Sequence, residues 1–418
     1  MNILSMLASS LAAPHDLWTI IINWIQSGVA NYGWTILLFT LLVKVVVSPL
    51  DFTVKLTTRK QNLVQKKCAP EIAKLNKKYG NDQQSIKVQT NSLYKREGMK
   101  MGVGCIVMLV NLVLTVVIFF TLYGSLRQVS AYESIVQYEQ VEQSYTNAYY
   151  QGMIDFSDSD EIKNIEDAKE CETKFAQAKA FIENEKNDTS SDEWTNHNEY
   201  YENHKAIFAS TEITNKALVA AVSTWNNVKA KWLWIENIWV ADSTTSPLPN
   251  YDGLMAIAKN GGDEYANYVS KNIDKERCNL ISTNVMAEVK TQTGRSANGF
   301  YIIAILSAVV TLASQLISQF QNRLKNKKAN ELAKATDKSA GMSMKMMMII
   351  MPIIMLIFAL TTGAGFGIYI VTSNIASIVL GEISTLIVNA ITKKKRLEVE
   401  AYLEKEANRL IKKGHMKG

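Results

Sequence analysis

Hydrophobic positions along the chain are gathered into long apolar runs. The runs cover residues 33–52, 101–124, 299–320, 346–364 and 365–391, and very polar stretches separate them. A helix needs about 20 apolar residues to cross a hydrocarbon core about 30 Å thick. The pattern therefore predicts an all-α polytopic membrane protein with five spans. The predicted spans are 33–53, 100–124, 299–321, 345–363 and 364–392.

Residues 1–32 precede the first span and are predicted to contain a helix that lies in the membrane interface. The alternative is an extra span, which would insert poorly because the stretch is short and contains Asp16, Asn23 and Gly28. The first 14 residues lack the basic region of a signal peptide, so no cleavable signal is expected. One face of the predicted helix is apolar and consists of Trp18, Ile21, Ile22 and Trp24 or Ile25.

The charge distribution predicts an orientation. Residues 125–298 contain 16 basic and 27 acidic residues, a net charge of −11, whereas the rest of the chain has a net charge of +17. Most basic residues outside 125–298 lie in the segment 54–99, the loop 322–344 and the tail 393–418, and Lys100 and Lys345 adjoin the first two. Because Lys and Arg mark the cytoplasmic side, the N-terminus is expected outside and the C-terminus in the cytoplasm. The positive total is then a topology signal, and no DNA partner is expected.

Residues 54–99 are predicted to form a basic helical hairpin on the cytoplasmic side. Apolar positions mark the first arm, "KKYGND" supplies a turn, and Pro70 predicts a kink or a break in the first arm. Twelve basic residues against three acidic ones between Lys55 and Lys100 favour a position near anionic lipid headgroups. A merely solvated loop would explain the charges but not the apolar positions.

The polar region 125–298 is predicted to be an extracytoplasmic domain that is mostly helical. It contains Cys171 and Cys278, for which a disulfide and two unpaired thiols are equally compatible with the sequence. The chain has no CxxC or His–Cys cluster, so no metal site is expected. It also has no G-x-S-x-G, H-E-x-x-H or P-loop pattern, and a single acid in the last four spans makes no catalytic dyad. We therefore expect neither an enzyme nor a cofactor.

A sparse set of polar residues lies inside the predicted spans. A mid-span lysine costs about 2.5–3.5 kcal/mol on insertion-based scales, so such residues usually face a bundle interior or a wet cavity. Lys44 follows Trp34 by ten residues, about 15 Å along a helix, and either faces a hydrated cavity or snorkels. Glu382 either pairs with Lys44 or reaches the inner interface. The full set is Lys44, Asn111, Thr115, Gln315, Gln319, Thr372, Ser373, Asn374 and Glu382.

Several stretches together resemble the bacterial YidC/Oxa-type membrane protein insertases. "WTILLFTLLVKVVVSPLDF" resembles the first core span of that family, and "MKMMMIIMPIIMLIFALTTGAGFGIYIVTSN" resembles its last two spans. The segments "QNLVQKKCAPEIAKLNKKYGND" and "NSLYKREG" are similar to the cytoplasmic hairpin of the family. In order, the matching positions are Lys44, Pro49, Leu50, Pro70, Lys78, Tyr79, Leu93, Tyr94, Lys95, Gly104, Cys105, Leu122, Tyr123, Lys345, Pro352, Gly365, Tyr369, Ser373 and Asn374.

The chain also departs from the family pattern. Lys44 replaces the arginine of the groove and keeps its charge but not its planar five-donor fork. Val107 and Val113 stand where prolines are usual, and Asn111 stands where glutamine is common. Within 125–298, only "KWLWIENIWVADS" resembles the short outer loop of the family, so the remainder is interpreted as insertions.

The resemblance implies a multi-pass protein of the bacterial plasma membrane that inserts nascent membrane proteins, alone or with the Sec translocon. It implies a hydrophilic groove that is closed on the outside, with Lys44 as its charge. Substrate would touch Tyr369 and leave near Pro352, although lipid or helix packing explains the neighbouring methionines equally well. The basic tail and cytoplasmic loops would hold the ribosome, or the tail would be only an anchor. The groove residues would be Lys44, Asn111, Thr115, Gln315, Thr372, Ser373, Asn374 and Glu382, and the exit methionines Met346, Met347 and Met348.

Two other functional classes are compatible with the spans. An ion- or proton-coupled solute transporter would use Lys44 and Glu382. Such a transporter is expected to contain internal sequence repeats, and the two halves of this chain show none. An anchored surface protein would use 125–298 for binding, but polar residues in five spans exceed the needs of an anchor.

Overall fold

The computed structural model describes residues 11–99, 101–157, 162–185, 191–333 and 338–412. Regular structure in these ranges is helical, apart from one isolated bridge between Trp232 and Ile235. Three described helices are long and apolar enough to cross a membrane, and three shorter helices are apolar. The prediction of an all-α membrane protein is confirmed at this level.

The helices fall into a membrane part and a polar part. The membrane part consists of α1 (Leu17–Gln26), α2 (Tyr32–Tyr79), α4 (Met101–Phe156), α11 (Ile302–Ala333), α12 (Lys338–Thr361) and α13 (Ala364–Ile391), and the basic helices α3 (Gln83–Arg96) and α14 (Lys393–Lys412) adjoin it. The second half of α4 enters the polar domain, which we define as residues 125–298. That domain also contains α5 (Ile165–Asn184), α6 (Asp192–Phe208), α7 (Thr211–Val228), α8 (Tyr251–Gly261), α9 (Asp263–Asn272) and α10 (Lys275–Thr293).

Helix α2 joins the first predicted span to the basic segment without interruption. Its 48 residues contain both Pro49 and Pro70, so of the kink or break predicted at Pro70 the break is not present. A proline lacks the N–H that would bond the carbonyl four residues earlier. At Pro49 this carbonyl belongs to Val45, and the hydroxyl of Ser48 donates to it over 2.8 Å. The helix therefore tolerates Pro49 because a neighbouring side chain satisfies the freed backbone group.

Helix α1 packs one face against the ends of α2 and α4. The carboxylate of Asp16 caps it by accepting from the backbone N–H groups of Trp18 and Thr19. Ile22 is buried, whereas Trp24 is 70% exposed. Of the two alternatives for this face, Ile25 packs against the core and Trp24 does not. Trp24 is two residues from Ile22, which corresponds to a rotation of about 200° around a helix.

A core closes the end of the membrane helices that faces the polar domain. The loop 229–250 crosses this end and buries Trp239 between α2, α4 and α13. Its backbone carbonyls at Ile238 and Val240 accept from the N–H groups of Gly365 and Ala364, over 2.9 and 3.0 Å. A Cβ atom on Gly33 would lie 2.2 Å from the Trp232 ring, so only glycine allows this approach.

A buried polar network fixes the start of α11 to the same loop. The amide of Asn298 donates to the carbonyls of Asn237, Val240 and Ala241, over 2.9–3.0 Å. The carboxylate of Asp242 accepts from the backbone N–H groups of Phe300 and Ile303, over 2.8 and 2.6 Å. The two bonds to Asp242 satisfy backbone donors at the start of α11 that no helical carbonyl can reach, and those from Asn298 satisfy carbonyls of the loop.

The polar domain has separate apolar cores arranged along α4. Cys171 belongs to the core that includes Met153 and Ile213, and Cys278 belongs to the core that includes Tyr138 and Leu254. The two cysteines are therefore in different parts of the domain and form no disulfide with each other.

Candidate substrate groove

A continuous polar face runs along α2 from the middle of the first predicted span toward the basic hairpin. Its members are spaced by four, three, four and four residues, which places them on one side of a helix. We call it the polar face of α2, and it consists of Lys44, Ser48, Asp51, Lys55 and Arg59.

Lys44 is the innermost charge of this face and is half-buried. Its electrostatic partner is Asp51, two turns further along α2. Among the described residues, Lys44 forms no ion pair within 4.0 Å and no side-chain hydrogen bond. A primary ammonium in this setting offers three donors to a molecule that enters from the side.

Asn111 on α4 faces the polar face of α2. Its side-chain amide donates to the carboxylate of Asp51 over 3.2 Å. Its own amide oxygen is buried and has no hydrogen-bond partner in the described part of the chain. The hydroxyl of Thr115, one turn away, is used locally because it donates to the carbonyl of Asn111 over 2.8 Å. The predicted residues Lys44 and Asn111 thus share one acid, Asp51, that the sequence interpretation left out.

Helix α13 contacts the polar face of α2 closer to the basic hairpin. The ammonium group of Lys55 donates to the carbonyl of Gly381 over 2.8 Å. Glu382 is the next residue and is exposed. Since Lys55 follows Lys44 by 11 residues, about 16 Å along a helix, Glu382 lies well away from Lys44 in depth. The pair between Lys44 and Glu382, which the sequence left open, is not formed.

A second polar group joins α11 to α13. The amide of Asn374 donates to the hydroxyl of Thr311 over 3.0 Å, and its oxygen accepts from Ser314 over 3.3 Å. Thr372 and Ser373 beside it are half-buried, and so is Gln315, one turn after Thr311. Thr372, Ser373 and Gln315 therefore lie within about one helical turn of the contact between Asn374 and Thr311. Glu382, eight residues after Asn374 on α13, lies outside this group.

The residues predicted to contact the substrate differ in their placement. Tyr369 is 6% exposed and stacks against Phe366, with ring centroids 5.7 Å apart. Pro352 is buried within α12. In this conformation neither residue presents a free surface, so a contact with substrate stays a prediction that requires movement. The side chains of Met346, Met347 and Met348, and that of Gln319, lie outside the described residues.

Exposed apolar surface flanks the polar residues. In the most apolar stretch of α4, 18 residues long, only 6% of the residues are buried. Helix α13 likewise exposes the apolar residues Val379, Ile383 and Leu386 on its second half. Apolar helix faces of this kind are suited to contact with lipid or with another apolar helix.

The basic hairpin is held together by a small core and by ion pairs. Leu93 of α3 packs against Val64 and Cys68 of α2, and Tyr94 borders this core. Arg96 pairs with Glu71 over 2.8 Å. At the turn, the ammonium of Lys78 lies 5.2 Å from the centre of the Tyr79 ring. Pro70 is half-buried within α2.

Helix α14 returns to the same arm of α2. Glu406 of α14 pairs with Lys74 over 2.6 Å, and the ring of Tyr402 lies 5.8 Å from the ammonium of Lys67. Lys394, among other basic residues of α14, is exposed. The tail therefore uses one side for packing and leaves positive charge on the surface.

Comparison with known families decides where this arrangement belongs. The family model described as "60Kd inner membrane protein" matches residues 24–187 and 216–394, which is most of the chain. The chain belongs to the 60Kd inner membrane protein family. The resemblance to the YidC/Oxa-type proteins, expected from the ordered set of short stretches, is thereby confirmed.

Curated relatives of this 60Kd family member are named membrane protein insertase YidC. A protein of Anaeromyxobacter sp. (strain Fw109-5) is 36% identical over 107 residues, which cover 26% of this chain and 18% of the relative. A protein of Fusobacterium nucleatum is 34% identical over 107 residues, 26% of this chain and 48% of the relative. The chain thus matches from about a fifth to about half of the length of these relatives. No solved structure matches the chain.

Asp51 and Thr311 are among the polar residues of the candidate groove that the sequence interpretation left out. Asp51 stood in the stretch "SPLDF", seven residues after Lys44, and this spacing was the signal that could have placed both on one face. Thr311 offered no such signal, because a single threonine in an apolar span usually bonds its own helix, as Thr311 also does with the carbonyl of Ser307.

Proposed function

We propose that this protein inserts nascent membrane proteins, without enzymatic chemistry, through a groove that begins at the polar face of α2. The observation that carries the proposal is that Lys44, Asp51 and Asn111 lie where the apolar spanning parts of α2 and α4 meet. Membership of the 60Kd inner membrane protein family supports it. Apolar spans and this family also support a multi-pass protein of the bacterial inner membrane.

The physical basis is the cost of taking a polar tail through hydrocarbon. A short acidic tail that precedes an apolar segment would first meet Lys44, whose positive charge attracts it in a medium of low dielectric constant. Asp51 and Lys55 would continue the polar path toward the basic hairpin. The apolar segment would then leave along the exposed apolar faces of α4 and α13, near Met346–Met348 and Pro352.

The direction of the groove follows from the two ends of α2. The end that faces the polar domain is closed by the core around Trp239, and the polar face leads away from it. We infer that the groove opens on the hairpin side, that this side is cytoplasmic, and that the N-terminus is outside. The basic charges of the hairpin and tail support this orientation through the positive-inside rule.

The basic segments would receive the substrate and its ribosome. The exposed positive charge of α14 and of the hairpin suits contact with ribosomal RNA and with anionic lipid headgroups. Cooperation with the Sec translocon belongs to the same proposal. None of the relatives reported above is named as a transporter.

The proposal is tested by making the full chain the sole insertase in a bacterium depleted of its own. Insertion of a single-span protein with a short acidic tail should be restored, while solute uptake should not change. A photocrosslinker at position 44 should capture the stalled substrate, and one at position 46, on the opposite side of α2, should capture much less. Equal capture from both positions, or no restored insertion, would contradict the groove.

A further inference from the structure

A cavity of about 900 Å³ lies between the polar domain and the ends of the membrane helices. Its walls come from the loop 241–250, from α8 and α10, and from the turn between α12 and α13 at Leu360–Gly363. The cavity is on the closed side of the molecule, beyond the core around Trp239, so it is separate from the groove. Its volume falls in the range of small-molecule sites.

The charge of the cavity has the opposite sign to that of its domain. The polar domain has a net charge of −11, but the described residues that line the cavity include Arg127 and Lys290 and no acid. Several lining residues carry hydroxyl groups, among them Ser130, Thr245 and Ser282. Two cations with surrounding hydroxyls form a set of donors suited to an anion with several oxygens.

Arg127 lacks the partner that a half-buried guanidinium normally has. Its Nε atom is buried and makes no hydrogen bond in the described part of the chain. Its guanidinium group lies 5.1 Å from the centre of the Tyr123 ring, which fixes its position without using its donors. Among the described residues, neither Arg127 nor Lys290 has an ion pair. A buried donor without a partner is costly, and a bound anion would satisfy it.

The position of the cavity indicates that the anion comes from a lipid. The rim contains Tyr301 and Leu360, both more than a third exposed, at the ends of α11 and α12. Phe300 and Ile302 beside Tyr301 are also exposed. Exposed aromatic residues at span ends mark the level of lipid headgroups. A lipid in this leaflet could therefore place its headgroup in the cavity from the side while its acyl chains remain in the membrane.

The rim is also conformationally constrained. Tyr301 has a φ of 61°, in the left-handed region that residues other than glycine seldom adopt. Its hydroxyl lies 3.2 Å from that of Thr244, in the loop that forms the opposite wall. The amide of Asn260 donates to the carbonyl of Thr361 over 3.3 Å and joins α8 to the end of α12. The two sides of the cavity are thus held in a fixed relation.

We propose that this cavity binds the phosphate headgroup of an anionic phospholipid in the leaflet next to the polar domain. Arg127 and Lys290 contact the phosphate, and the hydroxyl groups contact the polar part of the headgroup. The bound lipid fastens the polar domain to the membrane surface. This role is independent of insertion through the groove.

The test measures binding of fluorescent phosphatidylglycerol to the full chain in detergent. The double variant Arg127→Gln/Lys290→Gln should bind about tenfold more weakly, because it loses both charge-assisted contacts. The double variant Lys179→Gln/Lys271→Gln removes the same charge from exposed positions of the polar domain that lie outside the cavity, and should bind like the unmodified chain. The unmodified chain should bind phosphatidylcholine more weakly than phosphatidylglycerol, whereas the variant Arg127→Gln/Lys290→Gln should bind the two lipids equally.

Competition identifies the source of the anion. Neither millimolar inorganic phosphate nor an acidic peptide should displace the lipid. Displacement by phosphate would identify the ligand as a soluble anion and overturn the lipid. Displacement by the peptide would identify the ligand as a protein segment. Equal binding by the double variant and the unmodified chain would overturn the site. If the double variant does not fold, Arg127→Lys keeps the charge but loses the fork. It should weaken binding by a smaller factor, and unchanged binding would count against Arg127.

Discussion

The side-chain amide of Asn111 donates a 3.2 Å hydrogen bond to the carboxylate of Asp51, and so joins α4 to the polar face of α2. Asp51 is also the electrostatic partner of Lys44. The charge in the middle of the span is therefore not isolated, and its acidic neighbour is Asp51 and not Glu382. It is the innermost member of a series in which Lys44, Asp51 and Lys55 alternate in sign.

The first prediction concerns the charge of Lys44. Replacing Lys44 with Ala should reduce insertion of a single-span protein with a short acidic tail by about tenfold, which corresponds to about 1.4 kcal/mol of lost attraction. Lys44→Arg should retain insertion because it keeps the charge. Val46→Ala, on the other side of α2, is the matched control. Protease protection of the tail in cells that depend on this chain gives the measurement, and normal insertion by Lys44→Ala would refute the charge mechanism.

Asp51 should limit how strongly the groove attracts an acidic tail. Asp51→Asn keeps an acceptor for the amide of Asn111 but removes the negative charge next to Lys44. Insertion of substrates with acidic tails should be retained or increased, and insertion of matched substrates with basic tails should decrease, because like charges repel. Measuring both substrates in the same cells separates charge from folding. A decrease for both would indicate that Asp51 acts only in structure.

Gly33 should be essential for the closed end of the groove. A Cβ atom at this position would lie 2.2 Å from the ring of Trp232, whereas a Cβ on Gly124 would meet nothing within 4 Å. Gly33→Ala should therefore destabilise the protein by about 1–3 kcal/mol through overpacking. Gly124→Ala should be neutral or stabilising by up to about 1 kcal/mol, since alanine favours a helix. Thermal unfolding in detergent compares the two, and equal melting temperatures would contradict the contact.

The stability of the polar domain should decrease as pH rises through the slightly acidic range. Burial raises the pKa of Glu133 from 4.5 to about 7, and the hydroxyl of Tyr32, 3.2 Å away, only partly opposes this increase. Between these pKa values the folded chain holds a proton that the unfolded chain has released, so stability falls as pH increases from about 4.5 to about 7.

The size of this effect is limited because Glu133 is only half-buried, so water partly stabilises its charged form. We expect a change of about 1–2 kcal/mol, since one pKa unit corresponds to about 1.4 kcal/mol. Glu133→Gln should remove this part of the pH dependence, because glutamine does not titrate. Melting temperatures at pH 5 and pH 7 provide the measurement. A Glu133→Gln variant with the same pH dependence as the unmodified chain would assign the effect to another group.

Several properties of this protein follow from the sequence by itself. Membrane spans depend on local composition, so an apolar run such as that around Lys44 indicates a membrane helix whatever surrounds it. The family could also be recognised from the sequence, because the short stretches that resemble it occur in the same order along this chain. The cost of a mid-span charge is likewise a local property, and it directed attention to Lys44 before any contact was known.

Only the tertiary structure decided which polar residues meet. The contact of Asn111 with Asp51 and the separation of Lys44 from Glu382 depend on how α2, α4 and α13 pack, which no local pattern specifies. The separation of Cys171 from Cys278 and the cavity at Arg127 likewise depend on helices distant in sequence. Composition determines that a helix enters the membrane, but the face it presents to its neighbours is determined by side-chain packing between segments.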